Sequence, residues 1–90
     1  MNEQRIATIR ERLLEALEPE LLEIDDESHL HAGHAGARDG RGHFRVIVVS
    51  PAFAGQTRIQ RHQLVYTALG ALMQTDIHAL SIEALAPGEI

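Results

Sequence analysis

Six histidines stand in a chain of 90 residues that has no cysteine. They are His29, His31, His34, His43, His62 and His78. Without cysteine there is no disulfide, no thiolate nucleophile, no redox pair and no thiolate ligand, so metal chemistry has to rest on imidazole or carboxylate. Neutral imidazole is the commonest protein metal ligand. His29, His31 and His34 fall in the stretch from His29 to Gly42, which holds four glycines and no hydrophobic period. That stretch reads as a loop, long for so small a domain, and such loops tend to be functional. Two imidazoles are too few for a closed structural zinc site. Either a third histidine and a carboxylate join them, or the remaining ligands come from another molecule. Plainer readings stand beside this one. The loop triplet suits an ordinary solvated loop, His78 suits a hydrogen-bonded core histidine beside Leu80 and Ile82, and His43 and His62 suit structural roles. A histidine with Ser28 or Ser50 would make a nucleophile pair, but no nucleophile elbow or phosphate loop accompanies it, so the chain is read as a non-enzyme.

The elements that position these residues follow from periodicity. Ile6, Ile9, Leu13, Ala16 and Leu17 predict an amphipathic helix over 3–17, closed by Pro19. Leu22 and Ile24 alternate with Glu23 and Asp25, which predicts a strand from Glu20 to Ser28 with one solvated face. Phe44 to Val49 is apolar on both faces apart from Arg45 and reads as a central strand. Pro51 and Gly55 break it. A second helix is expected from Arg58 to Gln74, with Gln56 or Thr57 near its start and Val65, Leu69, Leu72 and Met73 on one face. Ile77 to Leu85 is the third strand, stopped by Pro87-Gly88.

The order is helix, strand, strand, helix, strand. The first two strands can pair as a wide hairpin, and the strand–helix–strand unit should be a right-handed crossover that makes strands two and three parallel. The expected fold is a two-layer α+β domain over residues 1–90. Its three-stranded mixed sheet is covered on one face by the helices, in a KH-like (class II) arrangement. Parallel strands begin at the same end of a sheet. The loop with His29, His31 and His34 should therefore lie beside His78 and His43, and His62 should be remote.

Charge is uneven. Residues 1–27 carry a net −6, residues 28–75 a net +4 and residues 76–90 a net −3. A mildly basic middle can meet an anionic partner locally, but strong non-specific nucleic-acid binding needs a broad basic face. No apolar run approaches the roughly 20 residues that span a bilayer. The Met1-Asn2-Glu3-Gln4-Arg5 start lacks the apolar stretch of a secretory signal, so a cytoplasmic location without membrane contact is expected.

Five stretches taken together resemble the BolA family. They are Glu27-Ser28-His29-Leu30-His31, His43-Phe44-Arg45-Val46 running to Val49-Ser50, Phe53-Ala54-Gly55, Arg61-His62-Gln63-Leu64-Val65-Tyr66 and Ile77-His78-Ala79-Leu80. The resemblance implies a KH-like αββαβ fold and pairing with a monothiol glutaredoxin. It further implies a [2Fe–2S] cluster shared with the glutaredoxin cysteine and a glutathione thiolate, and not held by this chain alone. The family's ligands are the histidine of the Ile-His-Ala motif, here His78, and a histidine or cysteine of the loop. His31 matches the loop ligand by its spacing from Ser28, and His34 is the alternative. Imidazoles in place of thiolates lower the negative charge around a cluster, raise its potential and make its ligation acid-sensitive. The implied role is in cluster trafficking or maturation, or in iron signalling.

The competing reading is a nucleic-acid-binding transcriptional regulator. A KH domain grips the backbone with a Gly-x-x-Gly loop. Here the corresponding turn is Gly55-Gln56-Thr57-Arg58, without the second glycine, followed by Arg61 and His62. Arginines at a helix start can hold a phosphate. The chain has no lysine and few aromatic residues to stack on bases.

Overall fold

Residues 2–27 and 42–89 are described by the computed structural model. In α1 (Asn2–Leu17), Ile9, Leu13 and Leu17 recur every fourth residue on one stripe, and all three are buried. Glu3, Arg10, Glu11, Arg12 and Glu15 are exposed, so burial of a single apolar face holds the helix. Backbone geometry ends it. Glu18 adopts a left-handed φ of 44°, its amide donates to the Leu14 carbonyl at 3.2 Å, and Pro19 cannot continue the helix.

β1 (Leu21–Asp26) alternates as expected, with Leu22 and Ile24 packed on the core and Glu23 and Asp25 exposed. β2 (Gly42–Val49) is central in a sheet of order β1, β2, β3, where β3 is Ile77–Leu85. β1 runs antiparallel to β2, with Leu22 opposite Val48 and Ile24 opposite Val46. β3 runs parallel to β2, with Phe44 beside Leu80, Val46 beside Ile82 and Val48 beside Ala84. These rows form one apolar face. Ile9, Leu13 and Leu17 close over it from α1, and Val65 and Leu69 from α2 (Arg58–Leu69). The result is the α+β fold expected from the sequence, a mixed sheet with its helices on one side. Each large side chain buried there contributes about 1.5–3 kcal/mol over an exposed position.

The boundaries of the first two strands shift by one or two residues, and the largest difference is in the second helix. The second helix stops at Leu69 rather than Gln74, because Gly70 turns to φ 55° and caps it, its amide donating to the Tyr66 carbonyl at 2.9 Å. A single turn, α3 (Leu72–Thr75), follows. Leu72 and Met73 still pack on the core, so the apolar period runs straight through the break. At its start α2 has a capping box. The Thr57 hydroxyl accepts the Gln60 amide at 3.1 Å, and the Gln60 side chain accepts the Thr57 amide at 2.9 Å.

After β2 comes a short 3-10 turn, Pro51–Phe53. Ser50, fully buried, donates its hydroxyl to the Leu17 carbonyl at 2.5 Å and accepts the Ala52 amide at 3.1 Å. It therefore satisfies the end of α1 and ties it to the sheet. The serine weighed above as a nucleophile is a structural link; Ser28 lies outside the described residues.

Candidate functional site

Both flanks of segment 28–41 meet the sheet at the end where β3 begins. On one side the Glu27 amide donates to the His43 carbonyl at 2.8 Å, and on the other the Gly42 amide donates to the Asp76 carbonyl at 2.9 Å. His29, His31 and His34 themselves lie outside the described residues. Gly42 is buried, and a Cβ there would run into the ring of Phe44. Only glycine lets the core aromatic lie across the strand at this point.

His78 occupies an irregularity in the ladder. Gly42 pairs with Ile77 and His43 pairs with Ala79, which leaves His78 as the extra residue of a bulge. The bulge resets the alternation of faces. Ile77 is buried, His78 and Ala79 are exposed, and Leu80 and Ile82 turn back onto the core. This exposure removes the core-histidine reading of His78, which assumed unbroken alternation through to Leu80. His43 is buried, and its ring lies 5.0 Å from that of His78 at a tilt of 50°. Among the described residues no group of three or more histidines or carboxylates is placed to hold a metal ion. The described half of the candidate site is thus an exposed imidazole with a buried one beside it.

Asp76 stands at the entrance to β3. Its carboxylate accepts the Thr75 hydroxyl at 2.5 Å and the Arg5 guanidinium at 3.2 Å. The Thr75 hydrogen bond is the main cause holding its carboxyl below the usual range, with the Arg5 hydrogen bond and charge adding to it against the opposing effect of burial. Neither Arg5 nor Asp76 was legible as part of the site. They are 71 positions apart, and nothing in the local pattern of either announces the other.

The residues of the nucleic-acid reading gather at a different place. Gly55, at φ 74°, lies in the turn before α2. Arg58, Arg61 and His62 line a cavity of about 430 Å³ against the C-terminal half of β3. Glu83, also on that cavity, is five residues from His78, a rise of about 16 Å along the strand. The expected separation of His62 from His78 follows. Arg61 is already committed. Its Nε donates to the Gln56 carbonyl at 3.0 Å and one Nη to the Ala84 carbonyl at 3.1 Å. The two Nη groups also meet the Glu89 oxygens at 2.6 and 2.9 Å. Glu89 further accepts the Ala86 amide at 2.7 Å. Chiefly through Arg61, and then through that amide, its carboxyl falls to about 2. The capping box of α2 likewise supplies helix-start amides with acceptors from within.

Comparison with known proteins agrees with this architecture. The BolA family model, described as BolA-like protein, matches residues 13–89. An uncharacterized protein in the cobS 5′ region of Sinorhizobium sp is 46% identical over 84 residues, covering 91% of this chain and 90% of that one. BolA-like protein 1 of Homo sapiens is 46% identical over 83 residues, covering 92% of this chain and 58% of that one. The SufE-like protein 1 of Arabidopsis thaliana, chloroplastic/mitochondrial by name, is 44% identical over 87 residues, but the match spans only 24% of its length. The solved BolA domain of SufE1 from Arabidopsis thaliana superposes with a TM-score of 0.84 at 41% identity, covering 96% of this chain and 95% of that domain. Among the described residues no helix is long and apolar enough to cross a membrane.

Proposed function

Since the chain belongs to the BolA family, we propose that it is a non-enzymatic adaptor, a single BolA-like domain over residues 1–90. In this reading it pairs with a monothiol glutaredoxin and shares a [2Fe–2S] cluster through two histidines. His78 is one ligand, and the other is His31 or, as the alternative, His34. The glutaredoxin cysteine and glutathione supply the thiolates that this chain lacks. The cluster is cargo in a shared site, passed on or used as an iron signal, and the setting is cytoplasmic.

One observation carries the reading. His78 is exposed at a bulge, on the end of the sheet where both flanks of the histidine-bearing segment are anchored. The donor chemistry fits, because exposed neutral imidazoles bind iron, whereas a core histidine would be closed to a partner's cluster. Imidazole ligation also predicts release in acid, as protonated histidine cannot bind. The nucleic-acid reading draws less support, since every nitrogen of the Arg61 guanidinium already has an acceptor within the chain.

The test is to combine the protein with a monothiol glutaredoxin, glutathione, iron and sulfide. A visible spectrum distinct from that of glutaredoxin alone is expected, and it should be lost in His78→Ala. An unchanged glutaredoxin spectrum would reject the reading.

A further inference from the structure

At a bulge the register of the ladder is interrupted, so the course of the backbone there is set by the residues on either side of it. Beyond His78 the parallel register resumes at once, with Ala79 beside His43. Before it, the hold is concentrated in Asp76. The Asp76 amide donates to the Leu72 carbonyl at 2.9 Å, closing α3, and its own carbonyl accepts the Gly42 amide. Its carboxylate takes the Thr75 hydroxyl on one oxygen and Arg5 on the other. Thus α1, α3, β2 and β3 converge on the residue two positions before His78.

From this convergence we infer that Arg5 and Asp76 are positioning residues for His78. Their ion pair fixes the entrance to β3 and thereby the direction in which the bulge presents the imidazole. Arg5 is suited to this because α1 is anchored on the core by Ile9, Leu13 and Leu17. The pair is more sheltered than the cross-strand pair Arg45–Glu83. Its side chains are 25% and 33% exposed, against 44% and 51% there, so solvent and salt screen it less. Thr75, at the end of α3, braces the same carboxylate by donating its hydroxyl to it. Partners that orient a ligating histidine typically alter metal affinity by about 10–100-fold when removed.

The functional consequence rests on the reading of His78 as a cluster ligand, whereas the placement of its ring does not. Two readouts keep them apart. In the free protein, the His78 ring resonances and their cross-relaxation to His43 report where the imidazole lies. Asp76→Asn and Arg5→Gln should each displace them while the Phe44 and Val46 core signals stay in place. Arg5→Lys, which keeps the charge, should stay closer to the wild type, and Arg45→Gln should change nothing at His78. With glutaredoxin, glutathione, iron and sulfide, Asp76→Asn and Arg5→Gln should weaken formation of the shared cluster by about tenfold or more. If the wild type forms no shared cluster, the functional reading falls and the ring signals alone judge the positioning role. Ring signals unmoved in both variants would overturn the inference, even with a lowered melting temperature. So would an equal displacement in Arg45→Gln.

Discussion

The two ends of the sheet hold similar polar residues and use them in opposite ways. At the end where β3 finishes, Arg61 meets the Gln56 and Ala84 carbonyls and the Glu89 carboxylate, and buried Ser50 joins α1 to the turn after β2. Polar groups there close the structure on itself. At the end where β3 begins, a bulge turns His78 outward, and Gly42, His43 and Asp76 shape the ground on which it stands. A basic helix start and a histidine-rich loop looked like comparable binding candidates as residue types. What separates them is connectivity. At one end every nitrogen of the Arg61 guanidinium meets an acceptor within the chain, and at the other the bulge brings the His78 ring to the surface.

The largest disturbance should come from beneath both ends. Phe44→Ala removes a buried ring and should cost about 3–5 kcal/mol in denaturant unfolding, loosening the two regions together. The next pair separates them. Ser50→Ala strands the Leu17 carbonyl and the Ala52 amide, and an unsatisfied buried group costs about 1–3 kcal/mol. Gly42→Ala forces a Cβ against Phe44 for an overpacking cost of about 1–3 kcal/mol. Only the glycine variant should also shift the His78 ring signals. If Ser50→Ala moved them equally, the two ends would not be independent.

A smaller effect is expected from Glu89. Its carboxyl drops from 4.5 to about 2 on folding, so its contribution is fully present above pH 4.5 and is lost as pH falls through about 2. Glu89→Gln should therefore be less stable than the wild type at neutral pH, with the gap closing in acid titrations monitored by circular dichroism. Smallest of all is His78→Ala. Exposed and outside the core, it should change unfolding stability by less than about 0.5 kcal/mol. A larger loss would return His78 to a structural role.

The strands were legible because their signals are local. Alternation in Leu21–Asp26 and the double-faced apolar run ending at Val49 specify both pairing and burial, and chain order then makes β2 and β3 parallel. The gathering of His43 and His78 at one end followed from that topology alone. The bulge did not, because a shift of register by one residue between two strands leaves no mark in the hydrophobic period of either. Strict alternation therefore put His78 on the wrong face. The end of α2 at Gly70 was not read from the sequence, because the apolar stripe continues through Leu72 and Met73. Arg5 and Asp76 were illegible for a plainer reason, since a long-range ion pair leaves no spacing in the chain.

The most direct measurement is pulsed electron paramagnetic resonance on the reduced shared cluster, with isotope-labelled histidine in this chain only. Couplings from two imidazole nitrogens are expected, one vanishing in His78→Ala and the other in His31→Ala or His34→Ala. A cluster that forms in the complex yet shows no histidine coupling from this chain would contradict the shared site.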